Sequence, residues 1–459
     1  MQRIGSVQAF HDLRERLRVD RNGHVPTVVI PAGTCGQASG ANDIIRIAKR
    51  VVLEKGLGDR VRIRITGCHG YCQMEPSVLV LPDRTFYPRL DQDGMARVVE
   101  AAAEGRVVED LLYVDPGSGR RIERQDEVPF FAHQHRTLLA RNERLDPIRI
   151  YHAVDAGAYT AFAGLLDEGT PEAVIEALRT AGLRGRGGAG FPTWRKWQML
   201  AERPADRGKF LVCNADEGDP GAYMDRSLLE GNPHSIIEGM LIGAFATGAT
   251  EGVVYVRAEY PLAIKHLTIA IRQAREGGLL GEDILGTGMS FDIHLVRGAG
   301  AFVCGEETAL IASIEGRMGE PRQRPPFPVE RGIEGKPTVI NNVESWANVP
   351  VIIGEGPAAF AGICREDNCG TKIFSLVGKV ANTGLVEVPM GTSIQSIVYG
   401  IGGGSPTGAR IKAVQTGGPS GGCIPAERFD LPIDYDSLLE AGSIMGSGGM
   451  IVMDADTCM

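Results

Sequence analysis

One stretch, GLRGRGGAGFPTWRKW from Gly182 to Trp197, constrains this chain more than any other. It carries the spacing Gly185-x-Gly187-x-x-Gly190 of a dinucleotide-binding loop, but the residues before it, PEAVIEALRTA, have helical spacing and good helix formers. A dinucleotide Rossmann turn follows a strand and opens a helix, so its first condition fails here. After the loop, Pro192 and Thr193 suit the first positions of a helix that carries Lys196. Amides at that helix start, the positive end of its dipole and a lysine one turn in make an anion site. The pattern predicts a phosphate cradle outside the ordinary Rossmann context, with a flexible surface turn as the alternative.

At 459 residues the chain is expected to form two to four domains. Its 61 glycines exceed average usage, as when backbone packs close against ligands. A net charge of -9 argues against a nucleic-acid binder, which needs a basic face. Nine cysteines behind an opening stretch too charged for a secretory leader predict a reducing, cytoplasmic setting, with docking on a membrane complex left open. The most apolar run, IIEGMLIGAFATGATEGVVYV, is broken by Glu238, Glu251 and several glycines, so no membrane span is expected.

Periodicity then divides the chain. Residues 20–113 alternate strand-like runs (VPTVVIPAG, VRIRITGC), a hairpin (SVLVLPDRTFYPRL) and amphipathic helices (ANDIIRIAKRVVLEKGL, MARVVEAAAEG). The polar stretch 114–150 reads as a linker or arm. Residues 151–365 are dense in glycine, and 366–445 read as a small β unit with paired strands TKIFSLVGKV and GLVEVP.

Three further motifs surround the glycine loop in sequence. NADEGDPGAYMDR, from Asn214 to Arg226, sets acids and an amide beyond a strand; CGEETALIASIEG, from Cys304 to Gly316, puts Glu306 and Glu307 at a helix start; PTVINNVES contributes Asn341 and Asn342. Each alone reads equally as a solvated turn or ordinary helix-start charge.

Together with YVRAEYPLA, GEPRQRPPFP, KAVQTGGPSGGCIP and GSIMGSGGMIVMDADTCM, these motifs resemble the F-type, NADH-binding flavoprotein subunit of respiratory complex I. They resemble equally its relatives in NAD-reducing hydrogenases, formate dehydrogenases and electron-bifurcating enzymes, from about Gly182 to Met459. The resemblance implies an α/β multidomain fold. Residues 20–113 would be a thioredoxin-like ferredoxin domain, 151–365 a Rossmann-like FMN- and NAD(H)-binding domain with an atypical glycine loop, and 366–445 a β-grasp-like soluble-ligand-binding domain. Residues 446–459 would begin a C-terminal iron–sulfur domain.

By the same resemblance, Gly185, Arg186, Gly187 and Lys196 surround the FMN phosphate. Asn214, Asp216, Glu217 and Gly218 meet the ribityl chain or ring, joined by Phe302, Gly305, Glu306 and Glu307 and by Ile340, Asn341 and Asn342. Phe191 stacks on the nicotinamide nucleotide and Phe327 on the adenine, with Asp219 near the ribose and Arg324 where lysine is frequent. No side chain is expected to act chemically: flavin relays the hydride's two electrons singly to iron–sulfur carriers in partner subunits. The motifs fit a bifurcating subunit equally well, and a non-catalytic nucleotide-binding scaffold is the third reading.

Cys68 and Cys72, in TGCHGYC, resemble the second ligand pair of a thioredoxin-like [2Fe–2S] domain, but the first pair is reduced to Cys35. Such clusters take four thiolates. The expectation is a cluster-free docking module, the alternative a site completed by a group such as His69. Relatives continue past DTCM into a [4Fe–4S] domain, so that acceptor is expected in a partner or a further portion of chain.

Overall fold

A computed structural model describes residues 3–21, 25–204, 208–365 and 368–458, arranged around three sheets. Helix α1 (Val7–Arg21) buries Phe10 against the central part of the molecule. The first sheet then follows, with β1 (Thr27–Pro31), β2 (Arg62–Thr66), β3 (Val78–Leu81) and β4 (Thr85–Tyr87) in the order β2-β1-β3-β4. Strands β1 and β2 run parallel and the other neighbours antiparallel. Helix α2 (Ala41–Glu54) presents Ile44, Ile47, Ala48 and Val51, one helical stripe, to the same core as Val98, Val99 and Ala102 of α3 (Gln92–Ala103).

The stretch read as a linker or arm packs against its neighbours. Tyr113–Val114 pairs with Arg121–Ile122, and Phe130 and Phe131 are buried beside Tyr71 and strands of the third sheet. The Tyr71 and Phe130 rings stack with centroids 4.0 Å apart. A few aromatics in a polar stretch are enough to fasten it, because each removes a large apolar area from water.

The central sheet is fully parallel: β5 (Phe210–Ala215), β6 (Glu251–Arg257), β7 (Asp292–Gly298) and β8 (Thr338–Asn342) stand in the order β8-β5-β6-β7. Helix α4 (Pro171–Ala181) leads into the glycine loop and α5 (Thr193–Ala201) leaves it. After β5 come α6 (Met224–Gly231) and α7 (Pro233–Thr247), and after β6 comes α8 (Pro261–Glu276). Helix α9 (Glu307–Ile314) follows β7, and α10 (Val343–Glu355) follows β8. The chain steps from β5 to β6 to β7 and then returns to the far side of β5. Its direction of winding reverses between β5 and β8, and in such sheets the crevice beyond the carboxyl ends at that reversal is the usual ligand site.

The third sheet holds β9 (Thr371–Gly378), β10 (Gly384–Pro389), β11 (Ile411–Thr416), β12 (Gly422–Pro425) and β13 (Gly449–Asp454), in the order β10-β9-β13-β11-β12. Strand β13 lies between β9 and β11, parallel to the first and antiparallel to the second. Within the stretch expected to begin a further domain, the apolar run GMIVMD is the middle strand of this sheet. The expected boundary at 365–366 falls beside Glu366 and Asp367, which lie outside the described residues. Among the described residues no helix is long and apolar enough to cross a membrane.

Candidate functional site

The glycine loop passes across the carboxyl ends of β5 and β8, at the reversal point. Gly185 N–H donates to the Phe191 carbonyl at 2.9 Å, closing the loop on itself. Gly188 and Gly190 hold φ angles of +117° and +63°, a region that only glycine enters cheaply. A Cβ on Gly190 would also meet the Tyr435 ring at 2.7 Å. The loop's path is fixed by these glycine conformations and by the ring packed beside Gly190.

Two adjoining cavities of roughly 250 and 590 Å³ lie against this loop and share Gly187, Ala189, Asn214, Gly305, Glu306 and Asn342 as common wall. They form one trough of the size that holds a nucleotide. Gly185, Phe191, Lys196, Glu307, Arg324, Ile340 and Asn341 line its narrow end. Asp216, Glu217, Gly218, Asp219 and Phe302 line its wide end. The structure thus gathers nearly all the residues singled out from sequence around one space.

Three helix starts border the narrow end, and they differ. Glu306 caps α9, accepting from the Thr308 and Ala309 amides at 2.8 and 3.0 Å. Asn342 caps α10, accepting from the Glu344 amide at 2.9 Å. Helix α5 has no side-chain cap, so its positive end faces the loop unopposed. Lys196, one turn in, donates to the Ile340 carbonyl at 3.1 Å and lies 3.8 Å from Glu307, which also pairs with Arg324 at 2.7 Å. Burial pulls the Lys196 ammonium below its ordinary pKa, opposed by Glu307.

The wide end is acidic. Both Asp216 oxygens are buried without hydrogen bonds, and the nearest cation, Arg257, stands 3.9 Å away. Burial pushes the Asp216 carboxyl up to about 6, against the pull of Arg257. Asn341 Oδ1 is likewise buried with no partner. Glu217 is committed to the fold: it accepts from the Asp225 and Arg226 amides at 3.1 Å each and from the Tyr260 hydroxyl, and burial raises its pKa. Asp219 accepts from the Ser447 amide and hydroxyl at 3.1 and 2.6 Å.

Two expected residues stand elsewhere. The Arg186 guanidinium is buried and donates to the Thr371 and Cys369 carbonyls at 3.1 and 2.6 Å, tying the loop to β9 rather than facing the trough. Phe327 is 47% exposed and does not line the trough.

Sequence reasoning missed the third sheet's share. Gly417, Ser420, Ile444, Gly446 and Ser447 close the wide end, and Ser345 receives the Arg186 amide at 2.8 Å. The glycine-rich strings TGGPSGG and GSIMGSGG were the available signal, since both turn tightly enough to approach another backbone.

Cys35, Cys68 and Cys72 do converge, beside α6. The Cys72 thiol hydrogen-bonds both Cys35 and Cys68, Arg226 Nη2 lies 3.3 Å from Cys35 Sγ, and the Tyr223 hydroxyl 3.5 Å from Cys72 Sγ. His69 does not complete a ligand set: its ring is buried against Thr66 at 2.9 Å, with Glu143 and Arg136 as its charged neighbours. Position 40, where a fourth thiolate would stand, is glycine. Among the described residues no group of three or more His, Cys, Asp or Glu is disposed to hold a metal ion, so the donor set does not fit a four-thiolate [2Fe–2S] cluster.

Residues 178–351 match the family model of the Nuo51 FMN-binding domain, and residues 373–424 that of the SLBB domain. The NADP-reducing hydrogenase subunit HndC of Solidesulfovibrio fructosivorans is 56% identical over 315 residues, covering 69% of this chain and 64% of that protein. The F 2 subunit of the NADH-quinone oxidoreductase of Rhizobium meliloti is 46% identical over 303 residues, 66% of this chain and 72% of that protein. A solved NAD+-reducing [NiFe]-hydrogenase in the H2-reduced state superposes with a TM-score of 0.61 at 29% identity, over 98% of this chain and 75% of that one. The chain thus spans under two thirds of the hydrogenase subunit and nearly three quarters of the oxidoreductase subunit.

Proposed function

Because the chain belongs to the family of F subunits of NADH-quinone oxidoreductases, we propose that the trough binds FMN and a nicotinamide dinucleotide together and passes electrons between them and iron–sulfur partner subunits. The observation that carries this reading is the set of buried, unpartnered oxygens on Asn341 and Asp216 that line the trough. Such groups are expensive unless donors meet them, and a ribityl chain and a flavin ring edge bring hydroxyl and N–H donors.

In this reading the α5 start, the Gly187 backbone and Lys196 hold the flavin phosphate, with Glu307 fixing the ammonium and Gly185, whose N–H and carbonyl are taken by Phe191 and Tyr435, shaping the loop. Asn214, whose side-chain amide donates to the Gly305 carbonyl at 2.9 Å, pins the β7–α9 loop against β5 so that Gly305 gives the ring a flat wall. Phe191, half exposed at the mouth, offers a face for the nicotinamide nucleotide. Asp219 and Arg324 stand at opposite ends for its ribose and phosphates. Bound flavin supplies the exchange between one hydride and two single electrons. The protein positions both rings and excludes water.

The finer architecture belongs to the same proposal. Residues 20–113 are read as a thioredoxin-like docking module without a cluster, 151–365 as the flavin and nucleotide domain, and the third sheet as a β-grasp-like unit whose loops close the site.

The test is to load the full chain with FMN and titrate it anaerobically with NADH and NADPH. Bleaching of the flavin absorbance by either nucleotide supports the reading, and stoichiometric FMN with no bleaching by either one removes it.

A further inference from the structure

Asp225, the second residue of α6, also lines the trough, although no sequence motif assigned it a role. It is 2% exposed. Its Oδ2 accepts from the Asn342 side-chain amide at 2.5 Å, so that oxygen acts as a carbonyl-like acceptor. Its Oδ1 is buried and has no partner.

The surrounding charges do not balance if every acid is ionised. From the loop before α6, Glu217 caps the helix; from the start of α10, Glu344 is wholly buried; from β9, Lys372 pairs with Glu344 and donates to the Ser447 carbonyl at 2.7 Å. The Cys213 thiol of β5 lies behind them, and Arg226, next in sequence, turns its guanidinium toward Cys35. These three buried carboxyl groups share Lys372, which Glu344 already holds, and Arg226, which is drawn to Cys35, Glu230 and Glu217, so neither cation is left for Asp225. A second uncompensated buried anion is costly, and the cheap remedy is a retained proton. Burial, and then Glu217, push Asp225 well above the ordinary carboxyl range.

We propose that Asp225 is a protonated carboxyl group whose Oδ1 hydroxyl donates a hydrogen bond to an acceptor atom of the ring system bound in the trough. This rests on the flavin reading and extends it, giving the otherwise acceptor-rich wide end a neutral donor. The ligand edge it faces carries a carbonyl oxygen or an unprotonated ring nitrogen.

Two measurements test it on the full chain. The infrared carbonyl band of a protonated acid, in protein labelled with 13C at the aspartate carboxyl, is expected at neutral pH in wild type, absent in Asp225→Asn, and shifted when FMN is added. In FMN titrations read by flavin fluorescence, Asp225→Asn keeps an N–H donor and binds within about threefold of wild type, while Asp225→Ala weakens binding about tenfold. A wild-type spectrum without the band overturns the proposal even if the variants fail to fold. So does a band indifferent to bound FMN, or equal FMN affinity in all three proteins. Failure of wild type to bind FMN would instead sink the flavin reading, and the donor role with it.

Discussion

The Tyr435 hydroxyl donates to the Gly185 carbonyl at 2.8 Å, while the Arg184 guanidinium sits 4.5 Å from the centre of the same ring. A residue of the third sheet's unit thereby holds the first glycine of a loop 250 positions earlier. Tyr435→Phe removes the hydrogen bond but keeps the ring that fills the space beside Gly190. The expected result is a loss of about 1 kcal/mol in stability, with FMN affinity reduced a fewfold. Calorimetry and fluorescence titration read both, and an unchanged melting temperature with unchanged affinity would show that the contact does not shape the loop.

Lys196→Met keeps the packing length and removes the ammonium. A charged hydrogen bond to phosphate is worth roughly 1.5–3 kcal/mol, so FMN is expected to bind roughly 10- to 100-fold more weakly. Riboflavin, which lacks the phosphate, should bind both proteins alike. Equal losses for the two flavins would place Lys196 away from the phosphate.

Asp216 provides a pH signature. Its folded-state pKa of about 6 lies above the ordinary aspartate value of 3.8, so the folded chain keeps a proton that the unfolded chain gives up. Stability from this group therefore falls as pH rises from about 4 to 6 and stays reduced above. Asp216→Asn cannot titrate and should flatten that part of the curve. Denaturant melts of flavin-free wild type and variant at about pH 3.5 and 7, below and above the interval, compare the two changes in stability, and equal changes would refute the buried-acid account.

The three convergent thiols predict a purified full chain with flavin absorbance and no [2Fe–2S] spectrum. Iron and acid-labile sulfide should each fall well below two per chain. Two of each, with the characteristic paramagnetic signal on reduction, would mean that a non-cysteine group completes the set.

Much of the site was legible because its chemistry sits in short local strings. Helical spacing ahead of Gly185 excluded the Rossmann turn, and Pro192 marked the start of α5. Asn214, Asp216, Asn341 and Asn342 occupy strand ends or the first loop residue, where a parallel sheet delivers side chains to one crevice. What depended on partners distant in sequence was not legible. Arg186 looks like a phosphate ligand until Thr371 and Cys369 are seen to take its donors, and nothing local says that carbonyls of β9 and the residues before it will be there. Asp225 hides for a similar reason, since its isolation comes from Glu217, Glu344 and Lys372 on three other segments. Where the segment around Phe130 packs was not legible, because composition averages over a stretch, whereas two buried rings decide the contact.

The central place of β13 in the third sheet carries a consequence for how the protein is made. Strands β9 and β11 cannot be joined until β13 has left the ribosome, and Tyr435, Gly446 and Ser447 come from the stretch just before it. A nascent chain that has already built the parallel sheet still lacks the far wall of the trough, so any cofactor arriving early meets a half-made cup. The wide end of the trough is complete only once β13 and the turn before it are in place.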